Sequence, residues 1–91
     1  MNPRIYKAIP LRNHRLKIEF LNGEIRIFDV SPFLERGIFK QLNDKSYFDR
    51  VSVKMGTVEW PNGQDFCPDT VYENSIPYIS ENNLSRATNP I

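Results

Sequence analysis

Hydrophobic and polar positions alternate most cleanly from Arg15 to Leu21. Leu16, Ile18 and Phe20 fall on one side there, and Arg15, Lys17 and Glu19 on the other. A period of two residues marks a β-strand with one buried face. Asn22-Gly23 follows; both residues tolerate the positive φ of a type I′ turn, which predicts a tight two-residue hairpin. Glu24 to Val30 is the returning strand, with Ile25 and Ile27 on one side and Arg26 and Phe28 on the other. Ile5 to Pro10 predicts an earlier strand, ended or confined to an edge by its proline. Arg12-Asn13-His14 is the loop between them.

Beyond the hairpin the pattern turns helical. Ser31 is placed to cap a helix, and Pro32 suits its first position, where no backbone donor is lost. Phe33 and Leu34 fill the first turn, and Gly37 ends it in a left-handed conformation. Ile38, Phe39 and Leu42 form a second apolar cluster, and Asn43 or Asp44 caps a further turn carrying Tyr47 and Phe48. Helical pieces this short are unstable alone and must lie against a sheet. A fourth strand runs from Val51 to about Met55, Gly56 marks a turn or bulge, and Thr57 to Trp60 is a fifth strand. Pro61-Asn62-Gly63 fits a type I turn. Pro68 starts a last helix that carries Val71 and Tyr72 toward the core. The fold class is therefore α+β: a small antiparallel sheet of about five strands, built from two hairpins, with short helices packed on it. One domain covers residues 1–75. Residues 76–91 form a polar tail, mobile or partner-binding, that begins with an apolar island of Ile76, Pro77, Tyr78 and Ile79.

Composition narrows the setting more than the activity. A chain of 91 residues supports one domain with a modest core. No apolar run approaches the ~20 residues that span a bilayer, and Met1-Asn2-Pro3-Arg4 does not open a signal peptide. A single cysteine excludes an internal disulfide, so a cytoplasmic location is expected. Net charge is +1, but it is unevenly spread. Arg4, Lys7, Arg12, Arg15 and Lys17 stand against Glu19 alone in the first twenty residues. From Met55 to Ser85 there is no lysine or arginine, whereas Glu59, Asp65, Asp69, Glu73 and Glu81 occur. A basic side could meet phosphates, yet these cations are not interleaved with aromatics as a single-strand binder requires. Solvated strand faces explain them more simply.

Candidate chemistry is thin. One histidine and one cysteine exclude the usual structural zinc site. Asp65 and Asp69, four residues apart, could share a hard cation; as helix-start carboxylates, one caps the last helix and the other sits in its first turn. Cys67 precedes that helix, but His14 is distant and the flanking carboxylates oppose a thiolate, so a small buried cysteine is expected. There is no nucleophile elbow and no glycine-rich phosphate loop. Trp60 reads as a packing centre with its ring nitrogen bonded, or else as an interface anchor. No catalytic residue, cofactor or metal is assigned.

The run from Val51 to Tyr72, with Gly56-Thr57-Val58 and Trp60-Pro61-Asn62-Gly63 leading into Asp65-Phe66-Cys67-Pro68-Asp69, resembles the bacterial domain-of-unknown-function family 2442. Phe20-Leu21-Asn22-Gly23-Glu24, Phe28-Asp29-Val30-Ser31-Pro32-Phe33-Leu34 and Gly37-Ile38-Phe39 are similar to its first hairpin and central segment. The likeness covers about Pro3 to Ser75. It implies a small α+β domain of the bacterial cytoplasm with no established activity. Some relatives resemble the front half of chains that end in a helix-turn-helix. Others are small free-standing proteins encoded beside another small protein, an arrangement similar to a toxin–antitoxin pair.

The expected function is a non-enzymatic interaction or regulatory module, antitoxin-like, whose partner is a small protein encoded nearby or a second copy. Its contact surface combines Trp60, Asp65, Asp69, Tyr72, Ile76, Tyr78 and Ile79. The alternative is a nucleic-acid accessory domain using Arg4, Lys7, Arg12, Arg15 and Lys17. A small enzyme using Asp65, Cys67 and Asp69 ranks third, and no membrane is involved.

Overall fold

Two antiparallel sheets enclose one core in the computed structural model, which describes residues 2–78. The first has the order β1-β2-β3-β7, from Ile5–Pro10, Arg15–Phe20, Ile25–Asp29 and Ser75–Pro77. The second has the order β4-β5-β6, from Ser52–Lys54, Thr57–Glu59 and Asp65–Phe66. Two short helices, α1 (Lys45–Phe48) and α2 (Pro68–Glu73), and 3-10 turns complete the α+β fold. Among the described residues there are seven strands, where the pattern suggested about five; β6 and β7 are too short to show a period.

The first hairpin corrects the expected turn, and the correction matters for the surface. Its loop spans three residues, Leu21–Gly23. The Phe20 N–H donates to the Glu24 carbonyl (2.9 Å), the Gly23 N–H donates to the Phe20 carbonyl (2.9 Å), and only Gly23 has positive φ (95°). This is a type I turn closed by a left-handed glycine. A two-residue turn would have set Ile18 opposite Ile27; instead Ile18 pairs with Arg26 and Leu16 with Phe28. A shift of one residue moves every β3 side chain to the other face. Phe28 and Val30 enter the core, both 0% exposed, and Ile25 and Ile27 turn outward. The reason lies in Asp29, which shares a face with the two isoleucines and would be buried without water in the other register.

The second sheet is tied to the first at a turn. Met55 and Gly56, both at positive φ (54° and 79°), form the two-residue link between β4 and β5. The Arg4 side chain lies over this link: a Cβ added at Gly56 would come 2.8 Å from its Nε, and its guanidinium donates to the Met55 carbonyl. Trp60 to Gln64 repeats the first hairpin's loop, with the Gly63 N–H on the Trp60 carbonyl (3.0 Å), as the type I reading of Pro61-Asn62-Gly63 requires.

Helical expectations are met in part. Ser31–Phe33 is a 3-10 turn without a side-chain cap, and the Ser31 N–H instead donates to Asp29 Oδ1 (2.9 Å). Gly37 is left-handed (φ 46°) but opens the next 3-10 stretch, Gly37–Asn43. Asp44 caps α1 by accepting from the Ser46 N–H (3.0 Å). Between the layers, the Phe66 ring meets Phe28, Phe33 and Phe39 with centroids 4.9–5.0 Å apart. Gln64 is buried among apolar residues yet fully engaged. It accepts from the Tyr47 hydroxyl (2.6 Å) and donates to the Ile38 carbonyl (2.9 Å) and Gln41 Oε1 (3.1 Å).

Strand β7 carries the folded unit past residue 75, since Ile76 pairs with Ile27 and Pro77 with Arg26. Ile79 and the rest of the expected tail lie outside the described residues.

Candidate functional site

The three-residue loop between β1 and β2 is held in an uncommon conformation. Asn13 and His14 both have positive φ (59° and 58°). That region costs most side chains about 1–2 kcal/mol, although asparagine and histidine enter it more readily than others. The Leu11 N–H donates to the Arg15 carbonyl (2.8 Å) and the Val30 N–H to the His14 carbonyl (2.9 Å), which fix the loop on the sheet end. Beneath it the His14 ring meets Phe48 edge-on at 5.2 Å, and its Nε2 is buried without a hydrogen-bond partner among the described residues.

The outer face of the four-stranded sheet opens beside this loop. The register places Ile9, Lys17, Ile27 and Ile76 in one cross-strand row. The next row holds Lys7, Glu19 and Ile25, and Tyr78 donates its N–H to the Ile25 carbonyl (2.9 Å). None of the described helices covers this face: α2 packs on the opposite one through Val71 and Tyr72. Ile76 is 66% exposed and Tyr78 38%. A cleft of about 370 Å³ lies between Leu11, Arg12, Arg15, Ile27 and Tyr78. Its floor is apolar and its rim carries two guanidinium groups. The Lys17 ammonium stands 4.6 Å from the Tyr78 ring centre.

A family model described as "Protein of unknown function (DUF2442)" matches residues 5–77. The chain belongs to this family. No curated protein and no solved structure matches it. The match begins at β1 and ends at the last residue of β7, so the DUF2442 unit includes the edge strand that completes the outer face.

Within this DUF2442 domain the residues expected to form one contact surface are dispersed. Ile76 and Tyr78 lie on the outer face. Trp60 does not reach any surface: it is 2% exposed, and its Nε1 donates to the Phe48 carbonyl (2.8 Å). It is a packing centre and no interface anchor. Tyr72 is engaged on the helical side, where its hydroxyl donates to both Glu24 carboxylate oxygens (3.0 and 2.9 Å) and Arg26 lies over its ring (4.4 Å). Arg26 also donates to the Ser75 hydroxyl (2.7 Å) and carbonyl (2.6 Å). Hydrogen bonds from Asn22 and then Tyr72 hold the Glu24 carboxyl below its usual pKa, and the same carboxylate raises that of Tyr72.

The acidic positions stand apart from the outer face. Asp65 lies in β6 opposite Glu59 and does not cap α2; Cys67 occupies that position without a side-chain capping bond. Asp69 is in the first turn of α2 as expected and accepts from the Asn2 side chain (3.2 Å). Cys67 is exposed rather than buried, because the cap position faces solvent. Its sulfur lies 3.3 Å from the Thr70 hydroxyl, and that contact lowers the thiol pKa. Neither the outer cleft nor a smaller one of about 180 Å³ at Asn13, His14 and Lys45 includes Asp65, Cys67 or Asp69. Among the described residues no group of three or more His, Cys, Asp or Glu is placed to hold a metal, and no helix is long and apolar enough to cross a membrane.

The basic set also divides. Arg4 is engaged at the Met55–Gly56 turn. Lys7, Arg12, Arg15 and Lys17 remain with the outer face, beside Ile76 and Tyr78. Sequence reasoning missed Leu11 and Ile27 as cleft residues. The signal for Ile27 was the parity it shares with Asp29.

Proposed function

We propose that this domain is a protein-interaction module that recognises its partner with the outer face of the four-stranded sheet. The observation that supports the reading is a sheet face, left uncovered by the described residues, on which Ile25, Ile27, Ile76 and Tyr78 adjoin Arg12, Arg15 and Lys17. Antiparallel sheets commonly leave one face to water, but such a face then alternates to polar residues. Here isoleucines occupy it, and clustered exposed apolar residues rimmed by charge are typical of contact sites.

A regulatory, antitoxin-like role, in which the domain holds a small partner protein, is the specific form of this reading. It draws on the resemblance to proteins encoded in pairs, and fold alone does not carry function. The nucleic-acid reading gains from the gathering of Arg12, Arg15 and Lys17 in one place, and loses from Glu19 and Asp29 on the same face and from its aliphatic floor. Co-purification of the tagged full chain from its native cells at physiological salt tests the proposal. A stoichiometric protein partner is expected; recovery of the bare monomer contradicts it.

A further inference from the structure

The chemistry of the outer cleft specifies what a partner must present; this inference rests on the interaction reading and adds the ligand class. The floor formed by Leu11, Ile27 and the Tyr78 ring accepts a large apolar side chain. Ion pairs among the described residues join Arg26 to Glu24 and Lys45 to Asp49, so Arg12, Arg15 and Lys17 have no carboxylate within pairing distance there. Asp29 stands opposite Arg15 in the ladder, but its Oδ1 accepts the Ser31 N–H (2.9 Å). Two guanidinium groups at the rim of an apolar pocket match carboxylates in bidentate geometry.

We propose that the cleft binds an acidic segment of a partner protein, with one large apolar side chain seated on Ile27 and flanking carboxylates on Arg12 and Arg15. Charge complementarity selects this occupant over the others. A second copy of the chain is a poorer match. Phe66 and Val71 beside its Asp65, Asp69 and Glu73 are buried in its own core, and its exposed Ile38 is flanked by Arg36 and Lys40. The Glu24 near its exposed Leu21 is already held by Asn22, Arg26 and Tyr72. Nucleic acid needs successive stacking platforms, and the cleft offers one aromatic ring. Addition of a strand at the β7 edge is opposed by Pro77, which has no N–H to donate. The partner therefore docks on the face, not along the edge.

The test is a titration of the 15N-labelled full chain with an eight-residue peptide that has a central leucine flanked by glutamates. Controls carry lysines for the glutamates or serine for the leucine, and an eight-nucleotide oligouridylate is run in parallel. Saturable shifts confined to Leu11, Arg15, Ile27, Tyr78 and their neighbours are expected for the acidic peptide, weakening with added salt. Arg12→Glu and Arg15→Glu, whose spectra must stay dispersed as in the parent, should each weaken binding at least about fivefold. Equal binding of the lysine peptide, shifts away from the cleft, tighter binding of oligouridylate, or no saturable binding would each overturn the proposal. The two readings fail separately. If Ile76→Asp releases the native partner while the acidic peptide does not bind, the interaction face stands and the ligand class falls. If Ile76→Asp leaves the native partner bound, both fall.

Discussion

The ammonium of Lys17 stands 4.6 Å from the ring centre of Tyr78 and links the second strand to the residue that follows the last one. Lys17 belongs to the basic N-terminal segment, and Tyr78 to the apolar island near the other end of the described chain. In sequence these suggested two rival surfaces, one for nucleic acid and one for protein. In the fold they are neighbours on one face. The basic residues become the rim of an apolar site, which changes the partner they suit.

The buried Tyr47–Gln64 pair should behave as a unit. Gln64→Leu leaves the Tyr47 hydroxyl and the Ile38 carbonyl short of a partner, which costs about 1–3 kcal/mol. Tyr47→Phe alone should also destabilise, since that hydroxyl also accepts the Asn62 N–H (2.8 Å). The double variant should be more stable than the sum of the singles implies, because fewer polar groups are left unmatched. Urea denaturation of the four proteins measures the coupling; strict additivity would show that the pair is independent.

Met55 sits in a position that suits another residue. It is 81% exposed, has φ of 54°, and is the first residue of a two-residue turn whose second is Gly56. Asparagine is favoured there for its tolerance of positive φ. Met55→Asn should stabilise by about 0.5–1 kcal/mol, seen as a higher urea midpoint at unchanged slope. Gly56→Ala should destabilise, since its Cβ would collide with the Arg4 side chain as well as strain the backbone.

Acid should weaken the Glu24–Tyr72 contact. The folded-state pKa of Glu24 lies below its ordinary value of 4.5, chiefly through the Asn22 and Tyr72 hydrogen bonds. Near and below 4.5 the unfolded chain then binds more protons than the folded one, so this contribution is present above about pH 4.5 and is lost as pH falls through the folded pKa. Tyr72 shifts upward from 10.0, so the folded chain holds that proton longer and stability declines as pH rises past 10. Melting temperatures of the parent and Glu24→Gln from pH 3 to 7 check the acid limb. The variant should show the flatter profile; parallel profiles would contradict the assignment.

The hairpin partners, the type I turn at Trp60 and the Asp44 cap were legible because local chemistry decides them: strand parity, a proline and a glycine at fixed offsets, and a carboxylate before a turn. The register of β3 was not. Asn22-Gly23 suits both a two-residue and a three-residue loop, and the choice is made elsewhere, by the burial of Phe28 and Val30 and the solvation of Asp29. That choice put Ile25 and Ile27 outside, so the candidate site was hidden with it. Strand β7 was illegible for a related reason. Ser75, Ile76 and Pro77 have no pattern of their own and form a strand because β3 offers an unpaired edge.

The most direct test of the interaction face compares two surfaces of the full chain in co-purification from native cells. Ile76→Asp and Arg15→Glu alter the outer face at exposed positions, whereas Asp65→Asn and Glu73→Gln alter the acidic side. All four should keep the parent's unfolding free energy within about 1 kcal/mol. The first pair should lose the partner and the second pair retain it. Retention by Ile76→Asp and Arg15→Glu, or loss confined to the acidic side, would contradict the interaction face.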